Sequence, residues 1–94
     1  MDRPKVMITE EGRSGSVHYE EAGHRISGWW EFAGGDAIAI VNMGSAQEWR
    51  SGQAWAVERR AEVLRFVAEE VVRQKATGCR ADIDEEGGWI TIRR

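Results

Sequence analysis

The segment Ile26 to Val41, ISGWWEFAGGDAIAIV, constrains this chain most, because it reads as a β-hairpin that assigns every side chain to one of two faces. Adjacent glycines between alternating apolar runs fit the two-residue primed turns, whose positive φ angles glycine adopts without steric cost. Pairing Ala33 with Asp36 places Trp30, Phe32, Ala37, Ala39 and Val41 on one face and Ser27, Trp29, Glu31, Ile38, Ile40 and Asn42 on the other. The first set is a core face. The second joins an indole and two isoleucines to a carboxylate and an amide, the composition of a surface made to meet something.

The preceding residues read as strands. Val6, Met7 and Ile8 form an apolar run, Gly12 to Gly15 is a turn signal, Ser16 to Glu21 alternates, and Ala22-Gly23 leads into a strand from His24 to Ala33. A two-residue turn at Ala22-Gly23 pairs Glu21 with His24 and Tyr19 with Ile26. Val17 and Tyr19 then join the Trp30/Phe32 face, while His18, Glu20 and Arg25 join the Trp29/Glu31 face, so the two hairpins agree.

After a connection from Gly44 to Gln53, where Ser45-Ala-Gln-Glu48 matches a capping box, the chain predicts a helix over 54–76, ended by Gly78. Steps of about 100° per residue put Val57, Ala61, Leu64, Val67, Ala68, Val71 and Val72 on one arc and Glu58, Glu62, Arg65, Glu69 and Arg73 away from it. Arg65–Glu69 and Glu69–Arg73 are opposite charges four residues apart. Phe66 falls outside the arc, either under a neighbouring loop or in an intermolecular contact. The C-terminal segment, Cys79 to Arg94, is another hairpin; a turn at Glu86-Gly87 pairs Ile83 with Ile90 and Ala81 with Ile92 and leaves Arg80, Asp82, Asp84, Trp89, Thr91 and Arg93 opposite.

The architecture these elements imply is α+β, a two-layer domain over 1–94. One antiparallel sheet, with elements in the order β-β-β-β-α-β-β, carries one long helix on one face and leaves the other open. At 94 residues there is room for one core. With 41% hydrophobic and 31% charged residues the chain falls in the soluble class, and no apolar run approaches the roughly 18 to 20 residues that span a bilayer. The N-terminal MDRPKVMITEEG lacks the apolar stretch of a secretory signal and Cys79 is the single cysteine, which together predict a reducing, cytoplasmic setting. A net charge of −3 supplies no basic field for nucleic acid.

Recognisable catalytic chemistry is missing. Gly34-Gly35-Asp36 runs from strand to strand beside a carboxylate, whereas a phosphate-binding glycine loop hands its anion to a helix N-terminus. His18 and His24 fall on opposite faces, and His18 with Glu20 supplies two ligands where a metal ion takes three or four, so no metal or other cofactor is expected. What stands out is aromatic. Of five tryptophans, Trp30 suits the core and Trp49 and Trp55 bracket the helix entry, but Trp29 and Trp89 join Ile38 and Ile40 on the open face. Several hundred Å² of such surface is near the limit that a monomer leaves bare.

The run Tyr19-Glu20-Glu21, then His24 to Ile40, then Ser45-Ala-Gln-Glu-Trp49 and a helix ending Val-Val-Arg-Gln-Lys75 resembles small bacterial orphan proteins carried on mobile gene cassettes. The resemblance spans most of the chain, brings no activity or catalytic residues, and implies a cytoplasmic accessory protein that self-associates. Residues and resemblance together predict a binding protein, a homodimer joined through its open sheet face or a sheet edge, with Trp29, Ile38, Ile40, Trp89, Glu31, His18, Glu20 and Phe66 as the candidate contacts. The alternative is a module in which Trp29 and Trp89 hold a small aromatic or cationic compound and Glu20 and Glu31 supply charge. A third reading, an enzyme using His18 with Glu31, has no motif behind it.

Overall fold

The computed structural model describes residues 3–94. Six strands, β1 (Lys5–Ile8), β2 (Ser14–Glu21), β3 (His24–Phe32), β4 (Ala37–Asn42), β5 (Arg80–Asp84) and β6 (Trp89–Arg93), form one antiparallel sheet in the order β1-β2-β3-β4-β6-β5. Between β4 and β5 lie α1 (Ala46–Gly52), a 3-10 segment (Ala54–Arg59) and α2 (Arg60–Lys75). The helical layer crosses one face of the sheet, so the last hairpin enters from the far edge and β6 docks beside β4.

The turns set the register with different precision. Ala22 and Gly23 both have positive φ, 50° and 84°, and pair Glu21 with His24 and Tyr19 with Ile26 as the two-residue turn requires. At Gly34-Gly35 the outcome differs. Only Gly35 has positive φ, and the loop holds four residues, 34–37, between Ala33 and Ile38, so Trp30 pairs with Val41 and Phe32 with Ala39. The register is thus two residues from the expected one, and because side chains alternate with period two the faces survive the shift. The C-terminal hairpin pairs Ile83 with Ile90 and Ala81 with Ile92 as expected.

A bulge between Ala37 and Ala39, where β4 meets β6, overturns two face assignments: Ala37 pairs with Arg93 and so joins the open face, and Ile38 leaves it. Ile38 lines the same cleft as Phe32 and Ala39 on the helix side, because an extra residue in one strand interrupts its alternation. Phe32 also departs from expectation. It lies on the core face but is 48% exposed, beyond the C-terminal end of α2, with Arg13 over its ring.

The helix arc is rotated from the expected one. Residues 54–59 wind as a 3-10 helix, and from Arg60, the first residue of α2, the inward positions are Arg60 and Val63, while Ala61 turns to solvent. From there Leu64, Val67, Ala68 and Val71 keep the α-helical spacing and seal the core against Val17, Tyr19, Ile26, Val41, Ile90 and Ile92. Arg73 pairs with Glu70 rather than Glu69, and Phe66 meets Tyr19 edge to face at 5.9 Å, which places it within the fold, partly buried against the core.

The capping box forms: Glu48 N donates to Ser45 Oγ and Ser45 N to Glu48 Oε1. It holds α1 so that Trp49 is buried and its Nε1 donates to Met43 O at 2.8 Å. Arg60, buried to 4% exposure, stacks its guanidinium on the Trp49 ring at 4.5 Å. Its Nε donates to Glu85 O at 3.0 Å and its Nη2 to Gly44 O at 2.9 Å, tying two loops to the start of α2. Burial holds its pKa below the ordinary arginine value.

Candidate functional site

Strand register builds the open face as rows running across the sheet. One row is Ser16, Trp29, Asn42, Trp89 and Asp84; the next is Ser14, Glu31, Ile40, Thr91 and Asp82. Toward the other end come Met7, His18 and Ser27, and then Lys5, Glu20 and Arg25.

Trp29 and Trp89 come from strands on either side of β4, yet their rings meet edge to face at 5.6 Å and 86°. Asn42 lets them meet over it. Its short side chain turns along the sheet end, where Nδ2 donates to Gly87 O at 3.1 Å and Oδ1 accepts from Gly44 N at 2.9 Å. Both indoles remain partly bare, at 41% and 39% exposure, with Ile40 half-buried one row away. Four of the candidate contacts, Trp29, Trp89, Ile40 and Glu31, therefore lie together. Glu31 makes no ion pair among the described residues.

The remaining candidates stand apart. His18 Nδ1 and Ser27 Oγ share a hydrogen bond at 2.8 Å, and four residues of β3, about 13 Å, separate Ser27 from Glu31. His18 and Glu31 are not brought together. Glu20 is bound by Arg25 and lies 3.7 Å from Lys5; the hydrogen bond from Arg25, aided by both positive charges, holds its pKa below the usual carboxylate value. Ile38 and Phe66 belong to the helix side. His24 also faces that side and stacks on Trp55 at 4.3 Å.

Two features escape a reading of the sequence alone. The contact between Trp29 and Trp89 depends on β6 docking beside β4, which no local signal specifies, although the shared apolar-plus-polar face of both hairpins pointed to it. Arg60 looks like one more charged helix residue, although it stands four residues before Leu64 and seven before Val67, the spacing of one helix face.

Among the described residues no three His, Cys, Asp or Glu side chains converge to hold a metal ion, and no helix is long and apolar enough to cross a membrane. The indoles meet edge to face and leave no parallel slot between them for a planar compound. What the arrangement offers is an aromatic ridge with an aliphatic neighbour and an unpaired carboxylate, suited to contact with a second surface. No protein-family profile, curated protein or solved structure matches the chain.

Proposed function

We propose that this is a binding protein that works as a homodimer, joined face to face through the open side of its sheet. The observation that carries the reading is the placement of Trp29 and Trp89 one strand to either side of β4 in a single row, in contact and partly bare. A two-fold axis along β4 sets Trp29 of one copy on Trp89 of the other and Ile40 on itself. The same operation sets Glu31, which has no ion pair among the described residues, across from Thr91 and one row from Arg93 of the second copy, which is itself paired with Asp82 and Asp36. An isologous contact requires this kind of self-complementarity, and sheets packed face to face lie about 10 Å apart, close enough for these side chains to interdigitate.

Light scattering tests the reading. Wild-type protein is expected to show twice the chain mass in dilute solution, and Ile40→Glu, which sets two like charges against each other on the axis, is expected to give a folded monomer. A monomeric wild type overturns the proposal. An Ile40→Glu variant that stays dimeric moves the interface off this face, and β1 and β5, the two sheet edges, become the sites to test.

A further inference from the structure

On the helix side, α2 stops at Lys75 before it covers the end of the sheet where β3 and β4 turn. The gap is a cleft of about 150 Å³. Trp30, Val41 and Ile92 line it from the sheet, Val71 and Ala76 from the helical side, and half-exposed Phe32 stands at one wall.

Its chemistry is narrow. Trp30 Nε1 already donates to Thr9 O at 2.8 Å, so the indole has no donor left for an occupant. Glu10 and Lys75, the only charged side chains at the cleft, are bonded to each other across its rim. An occupant would meet chiefly aliphatic and aromatic surface. Burying a charge or an unpaired hydrogen-bonding group against that lining is unfavourable, and a volume of about 150 Å³ is on the scale of one benzene ring. The wall at Phe32 and Trp30, themselves edge to face at 5.1 Å and 77°, offers ring faces and edges that suit an aromatic occupant.

We infer that this cleft is a binding site for a small uncharged apolar molecule the size of one aromatic ring. It is independent of the dimer proposal, since it lies on the opposite side of the sheet and uses none of the same side chains.

Benzene is the probe, and the methyl resonances of Val71 and Ile92 are the readout by two-dimensional NMR. Saturable shifts confined to residues around the cleft are expected with benzene, and benzoate at the same concentration is expected to give none. Ala76→Leu, which projects extra volume into the cleft from the end of the helix, should weaken benzene binding at least tenfold; Ala39→Leu repeats the test from the sheet should the first variant not fold. The inference is overturned if wild-type protein shows no saturable shift up to the solubility of benzene, if benzoate binds as well as benzene, or if a folded filled variant binds benzene unchanged. Ile40→Glu should bind benzene as wild type does, whatever its mass, so failure of the dimer reading and failure of this one give different results.

Discussion

On the helix side of the sheet Val17, Tyr19, Ile26, Val41, Ile90 and Ile92 are sealed; on the other side Trp29 and Trp89, from β3 and β6, remain about two-fifths exposed. The strands are the same, so the difference comes from what lies across from each face. A single helical layer can blanket one side of a six-stranded sheet and has nothing to offer the other. The open face carries ion pairs, Glu20 with Arg25 and Lys5, and Arg93 with Asp82 and Asp36, and sets its aromatic pair at the end of the sheet where β4 stops and β6 begins. Charge at the edge of a sheet discourages strand addition.

The contrast breaks most severely at Leu64. It is fully buried at the centre of the helix arc, and Leu64→Ala is expected to cost about 2 to 5 kcal/mol, against almost nothing for exposed Glu62→Ala. Denaturant midpoints check this; equal midpoints would mean that α2 docks by another face. Next in size is Gly88, where φ is +77° and a Cβ would come within 2.0 Å of Gly44 O. Gly88→Ala must strain its own backbone and push away a carbonyl that Arg60 holds, at about 3 kcal/mol. Gly35→Ala, with positive φ but open space around it, should cost about 1 kcal/mol. If the two variants melt together, the close approach of the β4 and β5–β6 loops is not a structural constraint.

These positions also show what the sequence made legible. Period-two alternation identified both faces even where the Gly34-Gly35 register was two residues off, because a shift by two leaves every side chain on its own side. The Ala22-Gly23 register could be read outright, since two residues of positive φ leave little choice of turn. A bulge is different: an extra residue carries no local signature, so Ile38 was assigned to the wrong face. The inward place of Arg60 was within reach of periodicity, since it precedes Leu64 by four residues and Val67 by seven. Its charge argued against burial, and the tertiary ties to Trp49, Gly44 and Glu85 become visible only once the two loops meet. Of the candidate site, the strand hairpins gave Trp29, Glu31, Ile40 and Trp89 a common face; adjacency needed the strand order.

Another effect lies at the boundary of the sealed side and separates it from the open one by pH. The Tyr19 hydroxyl donates to Glu21 Oε1 at 2.7 Å, and Glu21 also accepts from Arg59 at 2.9 Å. Burial first, and then the bond to Glu21 and its charge, push the Tyr19 phenol up to about 12 from an ordinary value near 10. The folded state therefore holds this proton more tightly than the unfolded chain. The stabilisation is fully present below about pH 10 and is lost as pH rises toward about 12, on the order of 2 kcal/mol in all. Urea midpoints between pH 9 and 12 should fall less steeply for Tyr19→Phe than for wild type. Parallel slopes would show that the alkaline loss arises elsewhere.

An effect as small as that at Gly35 is expected at Phe32, and it decides what sealing means here. By alternation Phe32 belongs with Trp30 and Val41, and a sealed phenylalanine cut to alanine costs about 3 to 5 kcal/mol. Its position past the end of α2 leaves it 48% exposed, so its area removed from water is about half that of a core residue. The ring keeps an edge contact with Trp30 and lies beneath the Arg13 guanidinium at 5.7 Å. The Arg13 contact is at the surface and half of the ring faces solvent, so the chain around Phe32→Ala can relax into solvent without leaving a closed cavity. The expected cost is about 1 kcal/mol, well below that of Leu64→Ala. A loss as large as at Leu64 would mean that the end of the sheet is covered in solution, either by closure of the cleft or by a second copy. Repeating the measurement on Ile40→Glu separates these: a cost that stays large in that variant assigns the cover to the chain itself, and one that shrinks assigns it to a dimer reaching around the sheet edge.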